Sequence, residues 1–260
     1  MNMLDEFIIR AIIAIVLLSI NASLAGSFTI FKDVPFLVAG SAHAALAGAA
    51  LFIAIAGWIT MDPFIGGVIF AIFIALSASK AKQANVAIGI SFAFSMSLAV
   101  LFISLIKEQA ARVWGLLFGD LLLLTNHDIL IMSTFTTLLL IIYLVFGREF
   151  LFISFDREGA EVSGINTSLF NLLLLSTISV ATVVAMKAVG AILVYAMLVA
   201  PAAAANKVAD GVNKVFFMAA LFALLSGFAG LIIALYLPFS PSAIAAIMVT
   251  SIYFFTLKKD

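Results

Sequence analysis

Long apolar runs broken by short polar intervals set the rhythm of this chain. LFISLI at 101–106 and LLLIIYLVF at 138–146 are continuous rather than alternating, which fits helices surrounded by apolar matter and not strands with one wet face. A helix needs about 20 residues to cross the hydrocarbon core of a bilayer. On that length the pattern predicts helices near 8–30, 36–57, 63–79, 86–106, 128–147, 167–186, 189–205, 214–237 and 241–257. The expected fold is all-α: a polytopic transmembrane helical bundle of about nine crossings, with 1–260 as one domain. The stretch 114–124 is apolar but only half a crossing long. With Gly115 and Gly119 it reads as a short re-entrant or tilted segment.

Composition fixes the solvent. Of 260 residues, 65% are hydrophobic and 10% charged, more apolar surface than a domain in water carries, so the medium around the helices is the lipid bilayer. Thirteen basic residues match thirteen acidic ones with no long block of either sign, which excludes a nucleic-acid partner. No cysteine is present, so metal chemistry here must use nitrogen and oxygen donors. The first apolar run lacks a basic leader and a small-residue cleavage pattern and reads as a mature helix. Placing the N-terminus outside puts Lys32, Lys80, Lys82, Arg148, Arg157, Lys207, Lys214, Lys258 and Lys259 in the cytoplasm. Only Arg10, Lys107, Arg112 and Lys187 stay outside. That excess predicts a multi-pass protein of the cell membrane with a cytoplasmic C-terminus.

Polar residues inside the spans narrow the chemistry. The acids fall at or beyond span ends, with Asp120 the one candidate for an embedded carboxylate. A carrier driven by protons or sodium usually needs buried ionisable groups near the midplane, so the driving energy is expected elsewhere. His43 is the ionisable residue within a span. On a helix it shares a face with Ala39, Ala47 and Ala50, while Gly40, Ala44 and Gly48 form a second strip of the kind that lets helices approach closely. A functional imidazole and one merely bonded to a neighbouring carbonyl are the two readings of His43. His127 reads as a solvated loop histidine and Lys187 as a lysine snorkelling to the interface. Ser91, Ser95, Ser97, Ser176, Thr177, Ser179 and Thr182 read as hydroxyls bonded back to their own helices. The longest polar interval, 147–166, contains an amphipathic stretch at 156–164 with Arg157, Glu158 and Glu161. These residues alone fit docking in a partner's groove and an ordinary solvated loop equally well.

Four stretches occur in order: AGSAHAALAG at 39–48, WGLLFGDLL at 114–122, FDREGAEVSGI at 155–165 and VGAILVYAMLVAPAAAA at 189–205. Together they resemble the permease subunits of ABC importers for zinc, manganese and related divalent cations, the ABC-3 family. The resemblance runs from Arg10 to the start of the last helix at 241–243. It implies a bundle like that of a type II ABC importer permease, and a homodimeric pore. Each chain would dock on a cytoplasmic ABC ATPase subunit and receive metal from an extracytoplasmic metal-binding protein. On this resemblance 155–164 is the ATPase-coupling segment, formed by Phe155, Asp156, Glu158, Ala160 and Gly164. Ala39, Gly40, Ala47 and Pro201 would line the path or pack beside it, with Pro201 as a kink site. His43 matches the histidine of the family's intramembrane D-x-x-x-H pattern and is the candidate metal ligand. The position four before it is Ala39, where the pattern has aspartate. One His43 from each protomer then leaves a two-imidazole site unless Asp33 or another helix contributes.

No Walker A loop, HExxH or GxSxG occurs, which points to a translocator component and not an enzyme, with no cofactor bound by this chain and ATP used by its partner subunit. The function expected is the permease of an ATP-driven importer of divalent metal ions. Imidazole suits zinc and carboxylate oxygen suits manganese, so Ala39 favours zinc. The alternatives are a permease for a chelated metal of the siderophore or cobalamin type, and an ATP-independent secondary carrier.

Overall fold

The computed structural model describes residues 3–55, 62–106 and 115–257. Predicted positions 56, 57, Lys107, Arg112, Trp114, Lys258 and Lys259 lie outside that set. Among the described residues there is no strand. The chain opens with α1 (Met3–Asn21), which passes through a π-helical turn (Ala22–Gly26) into α2 (Ser27–Phe31). There follow α3 (Phe36–Ala54), α4 (Pro63–Lys80), α5 (Ala84–Leu105), α6 (Asn126–Phe155), α7 (Arg157–Val162), α8 (Thr167–Val208), α9 (Val212–Tyr236) and α10 (Pro241–Thr256). Seven helices among the described residues are long and apolar enough to cross a membrane, while α10 has 16 residues. Large side chains such as Ile90, Leu101, Leu144 and Phe217 are exposed on the outside of the bundle, as lipid contact requires.

Local chemistry sets the boundaries. Asp62 accepts from the Phe64 amide and Pro63 occupies the first turn of α4. Thr125 and Asp128 form a reciprocal capping box at the start of α6. α6 runs eight residues past its expected end at 147, because Phe150 and Ile153 are buried in the core and hold the last two turns. The second small-residue strip behaves as read. A Cβ on Gly48 would collide with the Gly66 carbonyl, and one on Gly40 would press on Ile88, so α3 lies tight against α4 and α5.

The two spans expected at 167–186 and 189–205 both fall within α8. Its 42 residues are broken at Gly190, whose φ of 78° and ψ of 164° are not helical. A straight helix of that length would measure about 63 Å, twice the bilayer core. It does not run straight. Phe170, near its start, packs on Phe146 and Phe150, while Ala202 and Ala205, near its end, pack with Ile30 and Phe31. Phe28 joins these groups through ring contacts to Phe31 and Phe150. Both ends of α8 therefore lie at one end of the bundle, and Lys187 with Gly190 lies at the other. The chain doubles back at Gly190, and the non-helical dihedrals fall there and not at Pro201, which is buried within regular helix.

Candidate functional site

His43 sits seven residues into α3, about 11 Å along the axis from Phe36 and close to the middle of the helix. Its Nδ1 donates to the Ala39 carbonyl at 2.9 Å, and the ring packs edge-on against Phe92 of α5 with centroids 5.0 Å apart. Because a carbonyl only accepts, this bond places a proton on Nδ1, and in the neutral ring the lone pair then lies on Nε2. That is the tautomer a metal-binding imidazole needs, with the ring orientation fixed by the carbonyl. The two readings of His43 are thus compatible: one nitrogen is bonded to the helix and the other is not used by it.

The strip around His43 divides. Phe36 is exposed and Ala39 and His43 are half-buried, whereas Ala47 and Ala50 are fully covered within the protomer. The open part of this face is therefore its 36–43 half, and Ala47, Gly40 and Pro201 are buried within the protomer. Among the described residues no group of three or more His, Cys, Asp or Glu side chains is placed to hold an ion.

A second set of polar residues gathers at the opposite end from Lys32. Lys187 Nζ pairs with Asp128 Oδ1 at 2.8 Å, with the two side chains only 14% and 24% exposed, and lies over the Phe64 ring. The snorkelling expectation for Lys187 is therefore corrected: its charge is spent on a specific partner 59 residues away. His127 is 67% exposed and pairs with Asp62 at 3.2 Å. Asp120 caps its own turn by accepting from the Leu122 amide. The 115–118 turn is helical, and left-handed Gly119 then abuts Gly190 so closely that a Cβ on either would strike the other's neighbourhood of backbone. The serine and threonine expectation holds only in part: the buried Ser95 hydroxyl has no hydrogen-bond partner among the described residues, and so is not bonded back to its helix. Thr177, Thr182 and Ser97 bond back to their helices, but Ser179 pairs across to Ser41 at 2.8 Å, joining α8 to α3 two residues from His43.

At the Lys32 end, α7 protrudes. Asp156 caps it by accepting from the Gly159 amide, Gly164 closes it in the left-handed region, and Ile165 N–H reaches back to the Ala160 carbonyl, a Schellman ending. Only Ala160 is buried. Phe155, Glu158 and Glu161 are exposed and Val162 is 90% exposed, so a rigid, mostly uncovered helical turn stands out from the bundle. Beside its root, Lys32 donates to the Ile153 carbonyl at 2.9 Å. Burial, and then the Arg157 guanidinium, push the Lys32 ammonium below the usual lysine range.

The model of the ABC 3 transport family matches residues 4–260. The chain belongs to the ABC 3 transport family. Among its relatives is the manganese transport system membrane protein MntC of Listeria innocua, 31% identical over 254 residues and covering 96% of this chain and 89% of that protein. The manganese import system permease protein ScaB of Streptococcus parasanguinis is 28% identical over 97% of this chain and 89% of its own. Among solved structures, PsaBC from Streptococcus pneumoniae in complex with Fab superposes with a TM-score of 0.85 at 25% identity, covering 96% of this chain and 91% of that one. This ABC-3 chain is accordingly a multi-pass membrane permease, a transport component and not an enzyme.

Proposed function

We propose that this permease is the membrane subunit of an ATP-driven importer of divalent metal ions. It would work as a homodimer with a cytoplasmic ABC ATPase on each chain and an extracytoplasmic metal-binding protein delivering the ion. The observation that carries the reading is the pairing of an intramembrane imidazole with a free Nε2 and a capped, protruding turn at 155–164, on a chain that matches the family from end to end. Docking of that turn on the ATPase would rock the two protomers between outward- and inward-open states, and the ion would pass His43 on the way. Two further features favour nine crossings with an N-terminus outside: the reversal of α8 at Gly190 and the excess of lysine and arginine at the Lys32 end. The 115–124 stretch then stays at the outer surface as a tilted segment seated on the turn of α8.

Two nitrogen ligands, one from each protomer, favour zinc, since no carboxylate sits four residues before His43. A manganese substrate is the second reading, favoured by the names of the MntC and ScaB relatives. Uptake into proteoliposomes holding the permease, its ATPase and its binding protein separates them. Wild type should carry zinc in preference to manganese, His43→Ala should lose most uptake of either, and transport should require ATP. Zinc uptake by His43→Ala at the wild-type rate would sink the ligand role, and a wild-type preference for manganese would sink the zinc assignment.

A further inference from the structure

The turn between α2 and α3 is tied to both of its neighbours by side chains. Lys32 Nζ reaches the Ile153 carbonyl, one of the last four carbonyls of α6, which the end of a helix leaves without an intrahelical partner. A cation there also meets the negative end of the helix dipole. One residue on, the carbonyl of left-handed Asp33 accepts from Asn85 Nδ2, at the start of α5. Phe31 adds a ring contact to Phe155, 5.3 Å away, at the very end of α6. Within the turn, Val34 N–H bonds to the Thr29 carbonyl and Leu37 N–H to the Val34 carbonyl, so there is no slack between Lys32 and the first turn of α3. A rigid path therefore leads from the root of α7, through Lys32, into the helix that carries His43.

We infer that Lys32 is a positioning residue that transmits movement of the coupling segment to α3 and so to His43. The inference rests on the proposed docking of 155–164 on an ATPase. A lysine kept half-buried beside Arg157, against its desolvation cost, is poorly explained as a solubilising surface charge. As a strut it has the right reach and the right partner: a main-chain atom that moves only if the end of α6 moves. The positive charge of Arg157 acts on Lys32 as well and disfavours a swing of the ammonium toward it.

The test uses the full permease with its ATPase and binding protein in proteoliposomes, and reads metal taken up per ATP hydrolysed. Lys32→Met should assemble and hydrolyse ATP at close to the wild-type rate while uptake per ATP falls about fivefold or more, the scale of a typical coupling energy. Lys32→Arg keeps a donor and a cation and should restore most of the ratio. An unchanged ratio in Lys32→Met overturns the inference, because a residue of merely structural value would change yield and not stoichiometry. If Lys32→Met does not assemble, hydrogen exchange in the wild-type complex decides. Nucleotide binding should alter exchange of the 32–38 amides together with those of 155–164. Protection at 155–164 with no change at 32–38 overturns the strut alone, and no protection at 155–164 overturns the docking on which it rests.

Discussion

At the scale of single residues, backbone approach is the most constrained feature of this molecule. Gly119 and Gly190 both have positive φ and each occupies the space in which the other's Cβ would lie. A side chain at either position meets strain and collision together. Gly190→Ala should therefore lower stability by about 2–4 kcal/mol in thermal or denaturant unfolding of detergent-purified protein. Gly89→Ala, where nothing lies within 4 Å, should be neutral or slightly stabilising. Equal behaviour of the two variants would contradict the packing. His43 belongs to the same scale. Ala39→Asp supplies the missing carboxylate one turn below the imidazole, and its oxygen ligands should shift uptake toward manganese by about tenfold relative to zinc. Competition uptake with the two ions checks it, and an unchanged ratio means the position does not face the ion. Position 43 was legible in the sequence because an ionisable residue stands out in an apolar span. Its bond to the Ala39 carbonyl and its contact with Phe92 were not, since both depend on rotamer and on how α5 lies against α3.

Between elements, the polar contacts that matter join segments far apart in sequence. Lys187–Asp128 ties the start of α6 to the turn of α8, and its partial burial strengthens it over a surface pair. A double-mutant cycle on Lys187→Met and Asp128→Asn should return a coupling of about 1–3 kcal/mol. The same cycle on Lys214 and Asp210, 3.9 Å apart and largely exposed, should return none. A null result for both pairs would show that Lys187 is solvated after all. The proposed coupling segment makes a complementary prediction. Phe155→Asp places a charge at the exposed end of α6, and a bulky residue at Gly164 strains a left-handed position, so both should weaken ATPase binding in pull-down while leaving the helical content unchanged. Full binding by both would remove 155–164 from the interface. Element positions were readable because continuous apolar runs have the length of a bilayer crossing. The pairings were not: Lys187 and Asp128, or Ser41 and Ser179, carry no local signal that names the other.

Taken whole, the molecule has two chemically distinct ends, and the proposed orientation rests on their charge. Arg10 bonds to Asn126, and Asp62, His127, Asp128 and Lys187 pair among themselves at one end. Lys32, Asp33, Asn85 and Ile153 meet at the other, near Arg157. Reversal of α8 decides the parity of everything after it. With a hairpin at Gly190, Thr167 and Val208 both return to the Lys32 end, so Lys80, Lys82, Arg148, Arg157, Lys207 and Lys214 all share one side. A single pass would send Lys207 and Lys214 across and erase the charge asymmetry. On the orientation proposed above, the excess of basic residues places the shared side in the cytoplasm. The chain has no native cysteine, so single introduced cysteines report the outcome directly. A membrane-impermeant thiol reagent should label His127→Cys in intact cells, whereas Lys82→Cys, Glu158→Cys and Asp210→Cys should react only after permeabilisation. Labelling of Lys82→Cys from outside would invert the orientation. Opposite accessibility of Glu158→Cys and Asp210→Cys would instead rule out the hairpin, because only an odd number of crossings between those two positions can place them on different sides.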